Sequence, residues 1–291
     1  MKRLGRIVLL GAGGQLARDL RIALQGQEVI PLAHQDLEVC DHGAVRQKLS
    51  ELRPDLVINT TAFHQVDRLE DECEKAFAVN VFAVRNMAEV CRDLDAALMH
   101  FSTDYVFGGE RSIPWREEDR PHPLNVYGVS KLAGEYFVRA ITPRHYVVRS
   151  SGLYGVVGAS GKGGNFVETM LRLGKERGKV SVVTDQVLSP TYTHDLAEGV
   201  VLLASNAPYG LYHVTSAESC SWNEFAQEIF KVAGLPVEVA PTTTAQFGAR
   251  ALRPSYSVLD NAQARAADLP ALRPWQAALR AYFEERRPLR G

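Results

Sequence analysis

At 291 residues, with 46% hydrophobic and 23% charged side chains, the chain has room for one large domain or two built together. Its 33 Lys and Arg against 34 Asp and Glu leave a formal charge of −1, so there is no electrostatic reason to expect nucleic acid or an anionic membrane as partner. Its four cysteines form no CxxC pair and its eight histidines no HExxH, which argues against a disulfide framework and against a zinc site.

The N-terminus, MKRLGRIVLLGAGGQ, starts basic, but its apolar run Ile7–Leu10 is too short for a signal peptide. No stretch approaches the ~20 apolar residues of a spanning helix, and a cytoplasmic protein is expected. RIVLL then reads as a strand, GAGG as a turn, QLARDLRIALQ as an amphipathic helix and EVIPL as a second strand. The alternation returns with a helix in HGAVRQKLSELR, an apolar strand in DLVINTTA, a helix through CEKAFAVNVFAVRNMAEVCRDL and a strand in ALMHFST. From 127 to about 141, apolar residues at spacings of three and four predict a helix that stops before Pro143, and YVVRSSGLYG resembles a further strand.

Beyond 155 the rhythm changes to a glycine-rich loop, a helix beginning near Asn165 and proline-punctuated segments, with HDLAEGVVLLAS helical and LYHVT a strand. Strands alternating with helices predict an α/β fold of the Rossmann type, a doubly wound parallel sheet. The dinucleotide-binding domain is expected over 1–155 with a return near 190–215, and a smaller substrate domain mainly over 156–291.

GAGGQLA sits where a strand gives way to a helix. Gly11, Gly14 and Ala17 are spaced so that the turn is tight, the backbone approaches a pyrophosphate, and the helix N-terminus offers it free N–H groups. The acid that usually meets a ribose 2′-hydroxyl is missing from PLAHQ at the second strand's end. NADPH is therefore weakly favoured, with NADH the alternative. A second glycine run, GVVGASGKGG, fails the phosphate-loop spacing. A substrate-phosphate contact from Lys162 or the backbone of Gly163 and Gly164 is one reading of it, and a plain loop is the other.

In YGVSK, Tyr127 and Lys131 lie four apart and share one helix face, whose first turn meets the carboxyl edge of the sheet. A free phenol titrates about three units above neutrality, so a neighbouring cation has to favour phenolate by ~4 kcal/mol. Lys131 is expected to supply that charge. HFSTDYVF ends a strand at the same edge with Ser102, Thr103 and Asp104, hydroxyls and a carboxylate suited to a substrate carbonyl.

With these residues in place, the chain resembles the extended short-chain dehydrogenase/reductases, and most of all the dTDP-4-dehydrorhamnose reductase family. The likeness runs nearly end to end through GAGGQLA, RPDLVINTTAFHQVDRLE, VN at 79–80, FSTDYVFGG, PLNVYGVSKLAGE, VVRSSGLYG, TDQVLSPTYTHDLA, GLYHVT and RPSYSVLD. The resemblance implies Thr103, Tyr127 and Lys131 as the catalytic set, with Asp104 near the sugar. It implies Gly11, Gly14, Gln15 and Leu16 at the pyrophosphate, Asp41 and His42 near the adenine, and Ala62 and Phe63 along the cofactor channel beside Tyr127 and Lys131. Hydride would pass from NADPH to the C4 carbonyl of a nucleotide-linked 4-keto sugar while Tyr127 gives its proton to the oxygen.

One position departs from the family: Gly152 stands where these enzymes commonly carry a tryptophan that packs on the sugar ring. Some members bind magnesium at a dimer contact, but no acidic triplet is evident here. The expectation is no metal, a nucleotide-sugar substrate, no nucleic acid or membrane partner, and a monomer or homodimer. Two alternatives share the motif set: a nucleotide-sugar epimerase, and a non-catalytic cofactor-binding regulatory subunit.

Overall fold

The structure is a computed structural model that describes residues 3–157 and 164–286. Of the contacts expected from the glycine run, Lys162 and Gly163 lie outside the described residues, while Gly164 lies within them.

Six parallel strands form the central sheet. In chain order the first elements are β1 (Arg6–Leu10), α1 (Gln15–Ala23), β2 (Glu28–Leu32), α2 (His42–Leu52) and β3 (Leu56–Asn59). There follow α3 (Ala83–Asp93), β4 (Ala97–Thr103), α4 (Val126–Ile141) and β5 (His145–Ser150). The sixth strand, β6 (Gly210–His213), follows α5 (Phe166–Arg177) and α6 (Thr193–Asn206). The spatial order is β2-β1-β3-β4-β5-β6. This is a doubly wound Rossmann-like sheet.

The apolar run of β1 is continuous because both faces are covered. Ile7 and Leu9 enter one core with Leu16 and Leu20 of α1 and Leu196 and Val200 of α6. Val8 and Leu10 enter the other with Val45 and Leu49 of α2 and Val84 and Met87 of α3. A third core lies beyond the sheet, where Val167 of α5 and Phe225 and Ile229 of α7 (Trp222–Ala233) meet Trp275 and Tyr282 of α8 (Trp275–Arg286). A parallel pair, Lys179–Val183 with Glu238–Thr242, runs alongside it.

Two features position the site. The chain passes from β1 to β2 on one side and then places β3 on the other side of β1, so a crevice opens beyond the carboxyl ends of β1 and β3. Before α3, the helix predicted through CEKAFAVNVF contains a π-helical turn, Ala78–Phe82, that rotates Asn80 into the interior. Among the described residues no helix is long and apolar enough to cross a membrane.

Candidate active site

At the end of β1, Gly11 has φ +80°, and a Cβ there would lie 2.7 Å from Thr60 Oγ1. Only glycine lets the chain turn this close to β3. Gly14 caps α1 without a side-chain hydrogen bond, and no acidic residue sits in the first turn, so the leading amides of Gln15 and Leu16 meet no side-chain competitor from the cap. Leu16 puts its side chain into the core and can offer a ligand only its backbone. Gln15 donates to Leu153 O at 3.3 Å, while its buried Oε1 has no partner. The glycine turn and the leading amides of α1 fit a bound pyrophosphate.

At the end of β2, Asp36 accepts from Ala33 N–H at 2.8 Å and so closes its own turn. Asp41 caps α2, accepting from Ala44 N–H at 2.9 Å, and His42, exposed, begins that helix with its carbonyl accepting from Asn86 Nδ2 at 3.2 Å. Beyond β3, the backbone of Phe63 is gripped twice by the Asn80 carboxamide, which accepts from Phe63 N–H and donates to Phe63 O, both at 2.9 Å. Asn80 also donates to Ser130 Oγ at 3.0 Å, and Ser130 donates to Tyr127 O at 2.9 Å. The loop carrying Ala62 and Phe63 is thereby tied to the helix that carries the tyrosine.

Asn125 starts that helix, accepting from Gly128 N–H at 2.8 Å and donating to Leu252 O at 2.7 Å. Tyr127, in its first turn, is within hydrogen-bond reach of Thr103 and stands edge-on to Tyr105 with ring centroids 5.9 Å apart. Thr103 donates to Asp104 Oδ1 at 3.1 Å. Asp104 Oδ2 accepts from Ser151 at 2.8 Å and Ser257 at 2.5 Å. Burial pushes the Asp104 carboxyl up, against these three hydroxyls.

Lys131 is buried, and its Nζ lies 3.3 Å from His100 Nε2. Asn59 Nδ2 lies 3.1 Å from the other ring nitrogen of His100. One turn further along α4, Glu135 forms a two-pronged pair with Arg149 at 2.9 and 2.7 Å, and Ser102 donates to the same carboxylate. Burial pulls Lys131 down to about 8, with Glu135 working the other way. The Tyr127 phenol is not held near neutrality, as the sequence led us to expect. Desolvation pushes it up to about 12, the Thr103 hydrogen bond counters this, and Asp104 adds to it. The lysine's Nζ meets His100 Nε2, and burial sets the direction of the phenol's shift.

Residues 5–287 match the family described as RmlD substrate binding domain. The chain belongs to that family. It is 41% identical to a dTDP-4-dehydrorhamnose reductase of Streptomyces griseus, over 96% of this chain and 93% of the relative. It is 36% identical to a dTDP-4-keto-6-deoxy-D-glucose reductase of Streptomyces niveus, over 96% of each. The crystal structure of dTDP-4-dehydrorhamnose reductase from Bacillus anthracis in complex with NADP superposes with a TM-score of 0.92 at 39% identity, covering 98% of this chain and all of the other.

Within this RmlD-family chain, Thr103, Asp104, Tyr127 and Lys131 converge at the end of β4 and the start of α4, and Gly11, Gly14, Gln15 and Leu16 form the adjoining turn. Asp41 and His42 stand apart, at the start of α2. Gly152 has φ +56°, and a Cβ there would lie 2.7 Å from Leu188 Cδ1 and 3.2 Å from Pro190 Cα. A side chain at 152 would therefore be both strained and crowded. An indole is nevertheless close by: Trp222 Cη2 would be 3.7 Å from that Cβ, and its ring packs on Phe166 at 4.4 Å between centroids. Sequence reasoning missed Asn59, Asn80, His100, Ser257 and Trp222. The matched stretches RPDLVINTTAFHQVDRLE, VN and RPSYSVLD contain Asn59, Asn80 and Ser257, whereas FSTDYVFGG begins one residue after His100.

Proposed function

We propose that this chain reduces the C4 keto group of a nucleotide-linked 4-keto-6-deoxy sugar, of the dTDP-4-dehydrorhamnose type, with NADPH as reductant. The observation that carries the reading is the meeting of Tyr127 and Thr103 hydroxyls, one turn from a buried lysine, beside a glycine turn suited to a pyrophosphate. The relatives' names and the NADP-bound neighbour support it.

The glycine turn and the leading amides of α1 hold the diphosphate, Asp41 and His42 lie toward the adenine, and the backbone of Ala62 and Phe63 borders the channel. With Asp36 folded onto Ala33, no carboxylate from that residue is presented to a 2′-phosphate, which favours NADPH, while NADH remains the weaker alternative. When bound, the reduced nicotinamide supplies the hydrogen and electron pair that the carbonyl carbon takes up.

Tyr127, a phenol that keeps its proton at neutral pH, donates it to the carbonyl oxygen. Thr103 turns its one O–H from Asp104 to the same oxygen as charge develops there. Lys131 restores the proton to Tyr127. Gly152 leaves the Phe166 and Trp222 rings as the aromatic border of the sugar site. The protein works in the cytoplasm as a monomer or homodimer.

The test is NADPH absorbance with dTDP-4-dehydrorhamnose, and with its 4-keto-6-deoxyglucose counterpart run beside it. Stoichiometric NADPH loss that requires Tyr127 supports the reading. Tight NADPH binding without consumption would turn it toward a regulatory subunit.

A further inference from the structure

Behind Lys131, a line of hydrogen bonds fixes where the protons sit. Asn59 Oδ1 accepts from Thr61 N–H at 3.0 Å and Thr61 Oγ1 at 2.6 Å. A backbone N–H can only donate, so the amide oxygen faces Thr61 and Nδ2 faces His100 Nδ1. Nδ2 is also only a donor, which makes His100 Nδ1 the accepting nitrogen. His100 is fully buried, and desolvation followed by the charge of Lys131 holds it well below its usual range. A neutral ring that accepts at Nδ1 carries its proton on Nε2, the atom 3.3 Å from Lys131 Nζ. An N–H aimed at an ammonium finds no lone pair, whereas one aimed at a neutral amine does.

We propose that His100 is a positioning residue whose Nε2–H disfavours the ammonium form of Lys131, so that the lysine readily releases its proton on the Tyr127 side. The kinetic consequence rests on the reductase reading, but the ring's protonation does not. The other titratable groups around the lysine do not account for such an effect. On its own helix, Tyr127 is a neutral phenol and Glu135, whose carboxylate favours the ammonium, is already paired with Arg149 and bonded by Ser102. From β4, Asp104 engages Thr103, Ser151 and Ser257. From β3 and the π turn come Asn59 and Asn80, which do not titrate.

Histidine-ring 1H–15N correlation spectra of the whole protein read the ring directly. His100 is expected as the Nε2–H tautomer through neutral and mildly alkaline pH, and an Nδ1–H ring or an imidazolium would overturn the proposal. His100→Gln places a carboxamide oxygen where it can accept from the ammonium. The alkaline limb of kcat/KM against pH should then move up by on the order of one unit, while a profile superposable on the wild type would sink the idea. Should that variant not fold, Asn59→Asp serves: its carboxylate accepts from Nδ1–H, frees Nε2 to accept, and should move the same limb the same way. A protein with the Nε2–H ring that consumes no 4-keto sugar would remove the substrate reading and leave this inference standing.

Discussion

Tyr127 and Lys131 carry opposite burdens at the same site. Burial keeps the phenol protonated, which suits a proton donor, and Tyr127→Phe should lower kcat by about 10²–10⁴ with NADPH affinity, followed by fluorescence titration, little changed. Lys131 carries the cost of being buried. Its proton affinity falls from 10.5 to about 8 on folding, so the unfolded chain binds the extra proton between those values. Stability therefore drops as pH falls through that window, and the full penalty, about 3 kcal/mol, applies below it. Lys131→Met should melt higher than the wild type at neutral pH, with the advantage shrinking toward pH 10.5, and should be inactive. A lower melting temperature at neutral pH would show that the buried amine is stabilising. The YGVSK spacing gave the pair's shared face correctly, but it could not show that His100, 31 positions earlier, takes the lysine's outer contact.

The π turn at Ala78–Phe82 shows what an element contributes beyond its residues. One extra residue in a helical turn leaves the apolar spacing almost intact, so CEKAFAVNVFAVRNMAEV reads as ordinary helix, yet the turn aims Asn80 at the Phe63 backbone. Asn80→Ala leaves that half-buried N–H and C=O without their side-chain partner. It should cost ~1–3 kcal/mol in urea unfolding and raise the KM for NADPH. Between α4 and β5, the Glu135–Arg149 pair is almost fully buried. Arg149→Met alone strands a carboxylate and should cost ~3–5 kcal/mol, whereas Glu135→Leu with Arg149→Met should cost less than the single change.

The sheet was legible because buried parallel strands are short apolar runs between helices: RIVLL and ALMHFST coincide with β1 and β4, and EVIPL with the less buried edge strand β2. What the sequence hid are pairings between distant positions. Ser257 reaches Asp104 across 153 residues, and Arg253 pairs with Asp67 across 186. No periodicity encodes such contacts. The longest of them supports the glycine turn: Arg18 of α1 pairs with Glu285 of α8 at 2.7 Å, and Glu285 also accepts from Tyr192. Glu285→Gln should weaken NADPH binding a few-fold through α1, on the scale of a partly exposed ion pair, and unchanged titrations would show that the turn stands without it.

The shared core of α1 and α6 has a consequence for how the chain is made. Leu16 and Leu20 are covered by Leu196 and Val200, which leave the ribosome about 180 residues later. At roughly 5–20 residues per second, the first helix waits about 10–35 s with its greasy side bare. During that interval a nascent-chain chaperone is the natural cover, and slowing translation ahead of Thr193 should make the protein more dependent on one.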